Sequence, residues 1–362
     1  MGTTLRRLKI AWSWALALTL LVLISGASEA LASCGSATCF LVIGSQAGAS
    51  QKDTLTANLM YNYIPQGTLL PGTNGIIPGV DTDNRMMTLN EHREIRTINQ
   101  FYTLDLNYGV TDRFGLELTV PYRVISHRHI AELGSLDTGG QGTPELFTDN
   151  GLGDVRLTAK YNVMSSLRNI FVFGFGVDLP TGKNSSQSNI PGSTQEPTLQ
   201  LGRGQVGLVG SVYQSYELIP HRLNQFASFS YRHTFKNNKG YQYGDEYLLS
   251  GGANLRTWDW LILIGQLNYR YLVHDTFSSS LFLAHSPDAP GNPDPIDTAI
   301  KDRPVPTTGS TTLMFSPGFN VDVGSATSVY FYSQIPVVRD FNNNLAQGVS
   351  YIVGVSRVFN LK

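Results

Sequence analysis

The chain has 362 residues, enough for one large domain or two ordinary ones, and only 15% of them are charged. The formal net charge is -1, and it becomes about -3 if residues 1–32, which carry Arg6, Arg7, Lys9 and Glu29, are removed. No long basic tract remains after that removal, so the sequence argues against nucleic acid as a partner.

The N-terminal segment has the three parts of a secretory signal in the usual order. Basic residues at 6, 7 and 9 precede an apolar run over 10–24, and a stretch of small residues then leads to Ala32. This order predicts a signal peptide over 1–32 that is cleaved after Ala32; a retained membrane anchor is the alternative. The apolar run is short for a membrane-spanning helix, which needs about 20 residues, and no later run is long enough. If the protein is integral to a membrane, it therefore crosses as strands.

Residues 33–52 are predicted to form a short periplasmic segment that contains Cys34 and Cys39, the only two cysteines. One interpretation pairs them in a small disulfide loop in the oxidising periplasm. The other takes Leu31-Ala32-Ser33-Cys34 as the lipobox of a bacterial lipoprotein, with Cys34 as a lipidated N-terminus. Neither cysteine lies in a Cys-x-x-Cys or Cys-x-x-Cys-His motif, so neither redox catalysis nor covalent haem attachment is indicated.

From residue 53 onward the sequence falls into stretches of about 10 residues in which apolar and polar residues alternate. In Phe114–Arg123, for example, Phe, Leu, Leu, Val and Tyr at the even positions alternate with Gly, Glu, Thr, Pro and Arg at the odd positions. Such alternation predicts strands with one face in an apolar medium and the other in a polar one. The predicted strands are 53–63, 95–109, 114–125, 151–163, 169–181, 202–217, 224–235, 245–257, 260–272, 309–323, 326–338 and 346–360.

The connections between these strands alternate in length. Short connections at 110–113, 164–168, 218–223, 258–259 and 324–325 alternate with longer ones, such as 64–94, 126–150 and 273–308. Short turns on one side, long loops on the other and an even strand count are typical of bacterial outer-membrane barrels. A sheet in hydrocarbon has to close on itself, because its backbone groups have no water to bind. The sequence therefore predicts an all-β protein of the outer membrane: a transmembrane antiparallel β-barrel of about twelve strands over 53–362, with short periplasmic turns and long extracellular loops.

The alternative fold is a soluble periplasmic β-sandwich or barrel, whose strands would also alternate. Tyr and Phe near the strand ends and charges on the polar face favour the membrane barrel. There the polar face encloses a narrow lumen, which an inward-folded loop would easily occlude. The predicted pore-lining charges are Asp105, Glu117, Arg123, Asp154, Arg156, Lys160, Asp178, Glu246, Arg256 and Arg270. Their signs are mixed, so we expect no strong cation or anion preference, and we expect most of them to pair across neighbouring strands.

Other patterns that carry chemistry are weak. Ser126-His127-Arg128-His129 suggests a shared metal or a serine hydrolase, but Gly-x-Ser-x-Gly and His-Glu-x-x-His motifs are absent, so the two histidines are interpreted as polar loop residues. Asp81–Asn84 and the acidic segment 288–297 lack the ligand order of a calcium-binding EF loop. Gly151-Leu152-Gly153-Asp154 opens a strand rather than a helix, so it does not predict a nucleotide site. The sequence predicts no catalytic residue, metal ligand or cofactor.

Three short motifs resemble a known family. Val120-Pro121-Tyr122 closes one strand, Gly151-Leu152-Gly153-Asp154 opens the next and leads into Lys160-Tyr161, and Leu179-Pro180-Thr181-Gly182-Lys183 ends the one after it. Together they resemble the outer-membrane transporter-like family named after the meta-pathway of phenol degradation, best over 95–185. The resemblance implies an outer-membrane barrel, often assigned to uptake of hydrophobic or aromatic compounds, and it transfers no catalytic residues. The sequence departs from the family in the Cys34–Cys39 segment and in the loops at 64–94 and 273–308. These departures affect the expected identity of the solute more than the expected fold.

The leading hypothesis is therefore an outer-membrane channel for small solutes, aromatic or hydrophobic ones among them, without enzymatic activity. Its partners are outer-membrane lipid, the solute and the barrel-assembly machinery, whose aromatic C-terminal signal Phe359 resembles. One alternative is a barrel sheath around a multihaem cytochrome, and another is a surface hydrolase that uses His127 or His129. A homo-oligomer and a non-transporting barrel that only presents its loops are also left open.

Overall fold

The computed structural model describes residues 50–361 except 84–85, 132–141, 167, 188–193, 278–280, 284–293, 297–302 and 325. The predicted signal peptide, Cys34 and Cys39 lie outside the described residues, and so does most of the acidic segment 288–297. Cleavage after Ala32 and the choice between a disulfide and a lipidated cysteine stay predictions.

Twelve long strands, each antiparallel to its neighbours, form the main sheet. They are β1 Thr54–Thr68, β2 Met86–Gly109, β3 Phe114–Ala131, β4 Val155–Ser165, β5 Asn169–Leu179, β6 Gly207–Ile219, β7 Leu223–Thr234, β8 Glu246–Trp258, β9 Leu261–Leu272, β10 Ser310–Gly324, β11 Thr327–Asp340 and β12 Ser350–Asn360. Each strand pairs with its neighbours along the chain, and β1 also pairs with β12. Leu59 of β1 thus lies opposite Leu104 of β2 and Val355 of β12. The sheet closes, and the predicted twelve-stranded barrel is confirmed.

The connections differ in length on the two ends of the barrel. Strands β2 and β3 are joined by residues 110–113, and β8 and β9 by residues 259–260, whereas 180–206 join β5 to β6 and 273–309 join β9 to β10. The predicted pattern of short periplasmic turns and long extracellular loops is confirmed. Within the described part of the chain, no helix has the length and apolar character needed to cross a bilayer.

The outer face of the barrel is apolar and the inner face is mixed. On β1, Asn58 and Asn62 are buried inside, while Leu59 between them is 53% exposed on the outside. Across the barrel, exposed outer positions carry large apolar side chains, such as Phe175 at 58% and Leu267 at 50%. A belt of this kind is stable in a bilayer, where lipid rather than water covers it.

Aromatic rings mark both ends of that belt. Trp258 and Trp260 stack at 5.8 Å between centroids at the short turn between β8 and β9. Tyr61 and Tyr102, toward the long-loop side, lie with their centroids 5.0 Å apart. Rings with an apolar body and a polar edge favour the level of the lipid headgroups.

Shorter strands extend the wall beyond the barrel on the long-loop side. Ile76–Asp81 pairs with β2, Thr143–Leu152 with β3, and Ala346–Gln347 with β1. Strands β2 and β3 are also longer than predicted there, starting at Met86 and running to Ala131. The other short elements are the strands Tyr241–Gln242, Thr276–Phe277, Leu281–Leu283, Asp294–Ile296 and Arg303–Pro304, and the 3-10 turn Pro197–Leu199.

Candidate channel lumen and its outer plug

Part of the long connection between β5 and β6 folds against the inner face of the barrel wall. We call residues 194–206 of this connection the plug. Leu199 and Leu201 of the plug are buried against Ile125 of β3 and Phe147 of the adjoining strand. The proline at the start of the 3-10 turn favours its geometry, because its ring fixes one backbone angle and the first helical position needs no N–H donor. The inward-folded loop expected from the size of the barrel is thus present on its outer side.

Polar contacts from three parts of the wall hold the plug. The Arg123 guanidinium of β3 donates to the Gln200 carbonyl at 2.7 Å, and the Tyr243 hydroxyl donates to the Pro197 carbonyl at 2.6 Å. Asp154, just before β4, accepts a bond from the Arg203 backbone N–H at 2.8 Å. Two of the predicted pore-lining residues, Arg123 and Asp154, therefore fasten the plug.

The plug lies in a poorly hydrated environment. Burial and the nearby positive charge of Arg232 lower the pKa of Arg203 to about 10. The guanidinium of Arg203 stacks 4.9 Å from the centroid of the Tyr243 ring and donates to the Thr234 hydroxyl at 2.7 Å. Stacking on an aromatic face stabilises a cation in a site from which water is largely excluded.

An apolar cluster lies at the outer end of the barrel beside the plug. It consists of Val80, Met87, Tyr241, Phe277 and Val305, which come from four separate segments of the chain. The Tyr241 hydroxyl donates a hydrogen bond to Asp275, beside the cluster, at 2.5 Å. All five side chains are buried, so the cluster packs the outer segments of the chain together beside the plug.

Below the plug, paired charges run along one wall of the lumen from β4 to β9. Asp178 accepts bonds from Arg156 at 2.6 Å and from Arg232 at 2.8 Å. Glu246 lies 3.5 Å from Arg232 and accepts a bond from Arg270 at 2.6 Å. These five side chains, which we call the charge ladder, pair across neighbouring strands, as expected for most of the lumen charges. Three guanidinium groups face two carboxylates, so the ladder keeps one net positive charge.

The remaining predicted charges lie elsewhere. Lys160 forms an ion pair with Glu117 at 2.9 Å, and Asp105 accepts a bond from the Thr119 hydroxyl at 2.7 Å. Arg256 does not join these groups. It lies at the short turn after β8, half exposed, where it donates to the Asp259 carbonyl at 2.6 Å. That these residues line a conducting path stays a prediction.

The opposite wall is built from neutral groups. Asn268 donates to Ser316 at 2.8 Å, and both are fully buried, as is Gln334. Inward positions here also carry apolar side chains, in a buried cluster of Met60, Tyr330, Tyr332 and Ile352. The sequence predicted a polar inner face, and the structure shows one in which apolar and amide side chains fill part of the lumen.

The outer end of the wall carries a group of imidazoles and carboxylates that the sequence analysis did not identify. His127 and His129 are inward residues of β3 rather than loop residues, and His127 is 1% exposed. Their interpretation as loop residues is wrong, because β3 continues six residues beyond its predicted end at 125. Ser126 occupies the opposite face of that strand from His127, so the serine-hydrolase alternative lacks the contact it needs.

These imidazoles contact neighbours from adjoining strands. His127 Nε2 lies 2.8 Å from His129 Nδ1, and the ring centroids of His92 and His129 are 4.8 Å apart. We call the following six residues the histidine–glutamate cluster: Glu91, His92, Glu94, His127, His129 and Glu145. Within the described residues, no three such side chains are arranged to hold a metal ion.

Comparison with known families identifies the chain. The model of the family described as the MetA-pathway of phenol degradation matches residues 97–276, from β2 to the start of the loop after β9. The family predicted from the sequence is confirmed. The matched region of this phenol-degradation family covers both the charge ladder and the plug. No protein of curated function matches the sequence.

One solved structure shows the same fold, and a second is similar at a lower level. An outer membrane channel from Pseudomonas putida F1 superimposes with a TM-score of 0.55 at 13% identity, over 88% of this chain and 100% of that one. A toluene transporter of P. putida, TodX, reaches a TM-score of 0.40 at 10% identity, over 86% and 91% of the two chains. The first of these shows the same barrel fold, and this fold with its apolar belt agrees with the predicted location in the outer membrane.

Proposed function

We propose that the chain is an outer-membrane channel that admits small aromatic or hydrophobic solutes. The observation that carries the proposal is the apolar cluster at the outer end, followed inward by the plug and then by a lumen whose charges are paired. An apolar solute that displaced the packing contacts of this cluster would bind there, because its own apolar surface would leave water. The family match supports the same class of solute, since the description of the family refers to phenol degradation.

The pore-lining assignment is part of this proposal. Solute that passes the plug would move between the charge ladder and the neutral wall, where the paired charges leave one net positive charge. A sheath around a multihaem cytochrome fits less well, because fully buried side chains such as Asn62 and Gln334 fill part of the lumen. We also propose that Phe359, near the end of β12, contributes to recognition by the barrel-assembly machinery.

Planar lipid bilayers test the channel directly. The refolded barrel is added to a bilayer in salt solution, and ion current is recorded before and after addition of phenol or of cyclohexanol, which has a similar size but no aromatic ring. We expect discrete conductance steps that both compounds reduce, with phenol the more effective. A folded barrel that produces no steps would contradict the channel, and equal block by the two compounds would contradict the aromatic preference alone.

A further inference from the structure

The histidine–glutamate cluster is a concentration of titratable groups that a passive channel does not need. His92 Nε2 lies 3.0 Å from Glu94 Oε1, and its Nδ1 contacts Glu91. The other carboxylate oxygen of Glu94 lies 3.5 Å from His127 Nδ1. The imidazoles of β2 and β3 therefore share one buried carboxylate.

The cluster continues outward along β3 and its neighbour. His129 accepts or donates the 2.8 Å bond to His127, and its Nε2 lies 3.4 Å from Glu145. The ring centroids of His127 and His129 are 4.9 Å apart. His129 thus contacts both of the other imidazoles, and each of the three has at least one carboxylate beside it.

The plug contributes one further carboxylate to this site. Glu196 lies 3.9 Å from His92 Nε2 and accepts a weak bond from the Val80 backbone N–H at 3.4 Å. Glu91 and Glu94 also face it from β2, and Tyr241 lies close on the side of the apolar cluster. Glu196 is therefore the point at which the plug meets the titratable part of the wall.

The charge balance of the site depends on protonation. The four carboxylates, Glu196 and the three glutamates of the cluster, outnumber the three imidazoles, so while the carboxylates are ionised the site stays negative even with every imidazole protonated. Each added proton reduces that excess. Repulsion between Glu196 and the wall therefore decreases as the solution becomes more acidic.

We propose that Glu196 and the histidine–glutamate cluster form a pH-sensitive latch, which holds the plug against the wall on acidification and releases it as the solution becomes more alkaline. The inference rests on the proposed channel function, in which the plug controls the outer end of the lumen. The hydrogen bonds of the plug to Arg123 and Tyr243 involve groups that do not titrate near neutrality, so the latch modulates docking rather than supplying all of it.

The direction follows from linkage. Burial raises the pKa of Glu196 to about 7. The charge of His92 opposes this rise, and the negative charges of Glu94 and Glu91 add to it. An undocked Glu196 would titrate at its ordinary, lower pKa, so the docked plug binds the proton more tightly. Docking of the plug is therefore strengthened as the pH falls through about 7 and weakened as the pH rises through it. The equilibrium constant for docking should change by about tenfold between pH 6 and pH 8.

Hydrogen–deuterium exchange of the full folded barrel in detergent tests the latch. After correction for intrinsic chemical exchange, amides of residues 194–206 should be about tenfold better protected at pH 6 than at pH 8. Glu196→Gln should abolish that difference, because glutamine cannot gain or lose the proton. Glu217→Gln, at the far end of β6, is the matched control and should keep the wild-type difference.

Conductance provides the second readout. In planar bilayers we expect the wild-type channel to be open more often at pH 8 than at pH 6, and Glu196→Gln to lose this dependence. Equal protection of the plug at the two pH values, or pH-dependent protection that persists in Glu196→Gln, overturns the latch. A barrel that conducts at neither pH would contradict the proposed channel function instead. Hydrogen–deuterium exchange would then still show whether the plug responds to pH.

Discussion

Replacement of Leu199 by Ala should open the outer end of the barrel without disturbing its wall. Leu199 is 1% exposed and packs against Ile125 and Phe147, both of which are also buried. Truncation of a leucine in such a site costs about 2–5 kcal/mol, from lost burial and from the cavity that remains. Since these contacts join the plug to the wall rather than one strand to another, the loss applies to docking. A loss of about 2 kcal/mol weakens docking roughly 30-fold.

Single-channel recording in planar bilayers measures this effect. The Leu199→Ala channel should spend a larger fraction of time open than wild type at the same pH and voltage, with unchanged heat-modifiable mobility on gels. Leu267→Ala is the matched control, because Leu267 is 50% exposed on the lipid-facing surface and does not contact the plug. If Leu199→Ala and Leu267→Ala have the same open fraction as wild type, the plug does not close the lumen and the reasoning is refuted.

Two further predictions concern the barrel wall. Glu246→Ala leaves the guanidinium groups of Arg270 and Arg232 buried without their shared carboxylate. It should lower the free energy of unfolding by about 3–5 kcal/mol, which a lower urea midpoint of unfolding would show. An unchanged midpoint would mean that solvent in the lumen already screens the charge ladder. Phe175→Lys places a charge in the middle of the lipid-facing belt, where Phe175 is 58% exposed, and should reduce folding stability in lipid vesicles by about 2–4 kcal/mol. Wild-type stability of that variant would show that β5 does not face lipid.

The strands were predictable because a bilayer imposes a strict two-residue period. Every predicted strand overlaps an observed one, and the strand predicted at 169–181 is found at Asn169–Leu179. The prediction failed where the bilayer ends. Residues 86–94 of β2 were assigned to a loop, because beyond the lipid both faces of a strand can be polar and the alternation disappears.

The candidate site was predictable only where neighbouring strands determine it. Arg156 and Asp178 lie directly opposite each other in the register of β4 and β5, so once the strands are known the pair follows. The plug does not follow from strand pattern, because Leu199 docks on Ile125 across more than seventy positions of sequence. The cluster was missed for both reasons: it lies on the extended parts of β2 and β3, and one of its contacts comes from the plug.

The two walls of the lumen differ in charge, which the mixed signs of the predicted pore-lining residues alone did not show. The charges of the ladder are paired across neighbouring strands with one guanidinium group in excess, and the facing wall consists of amides, hydroxyls and a few apolar side chains. A single excess positive charge creates only a weak field, so the lumen below the plug should pass cations, anions and neutral solutes with a small preference for anions. Discrimination should then arise at the outer end, where the largest buried apolar cluster of the described residues lies beside the plug. A change to the ladder should therefore alter stability more than solute preference, and a change to Val80 or Phe277 should do the reverse.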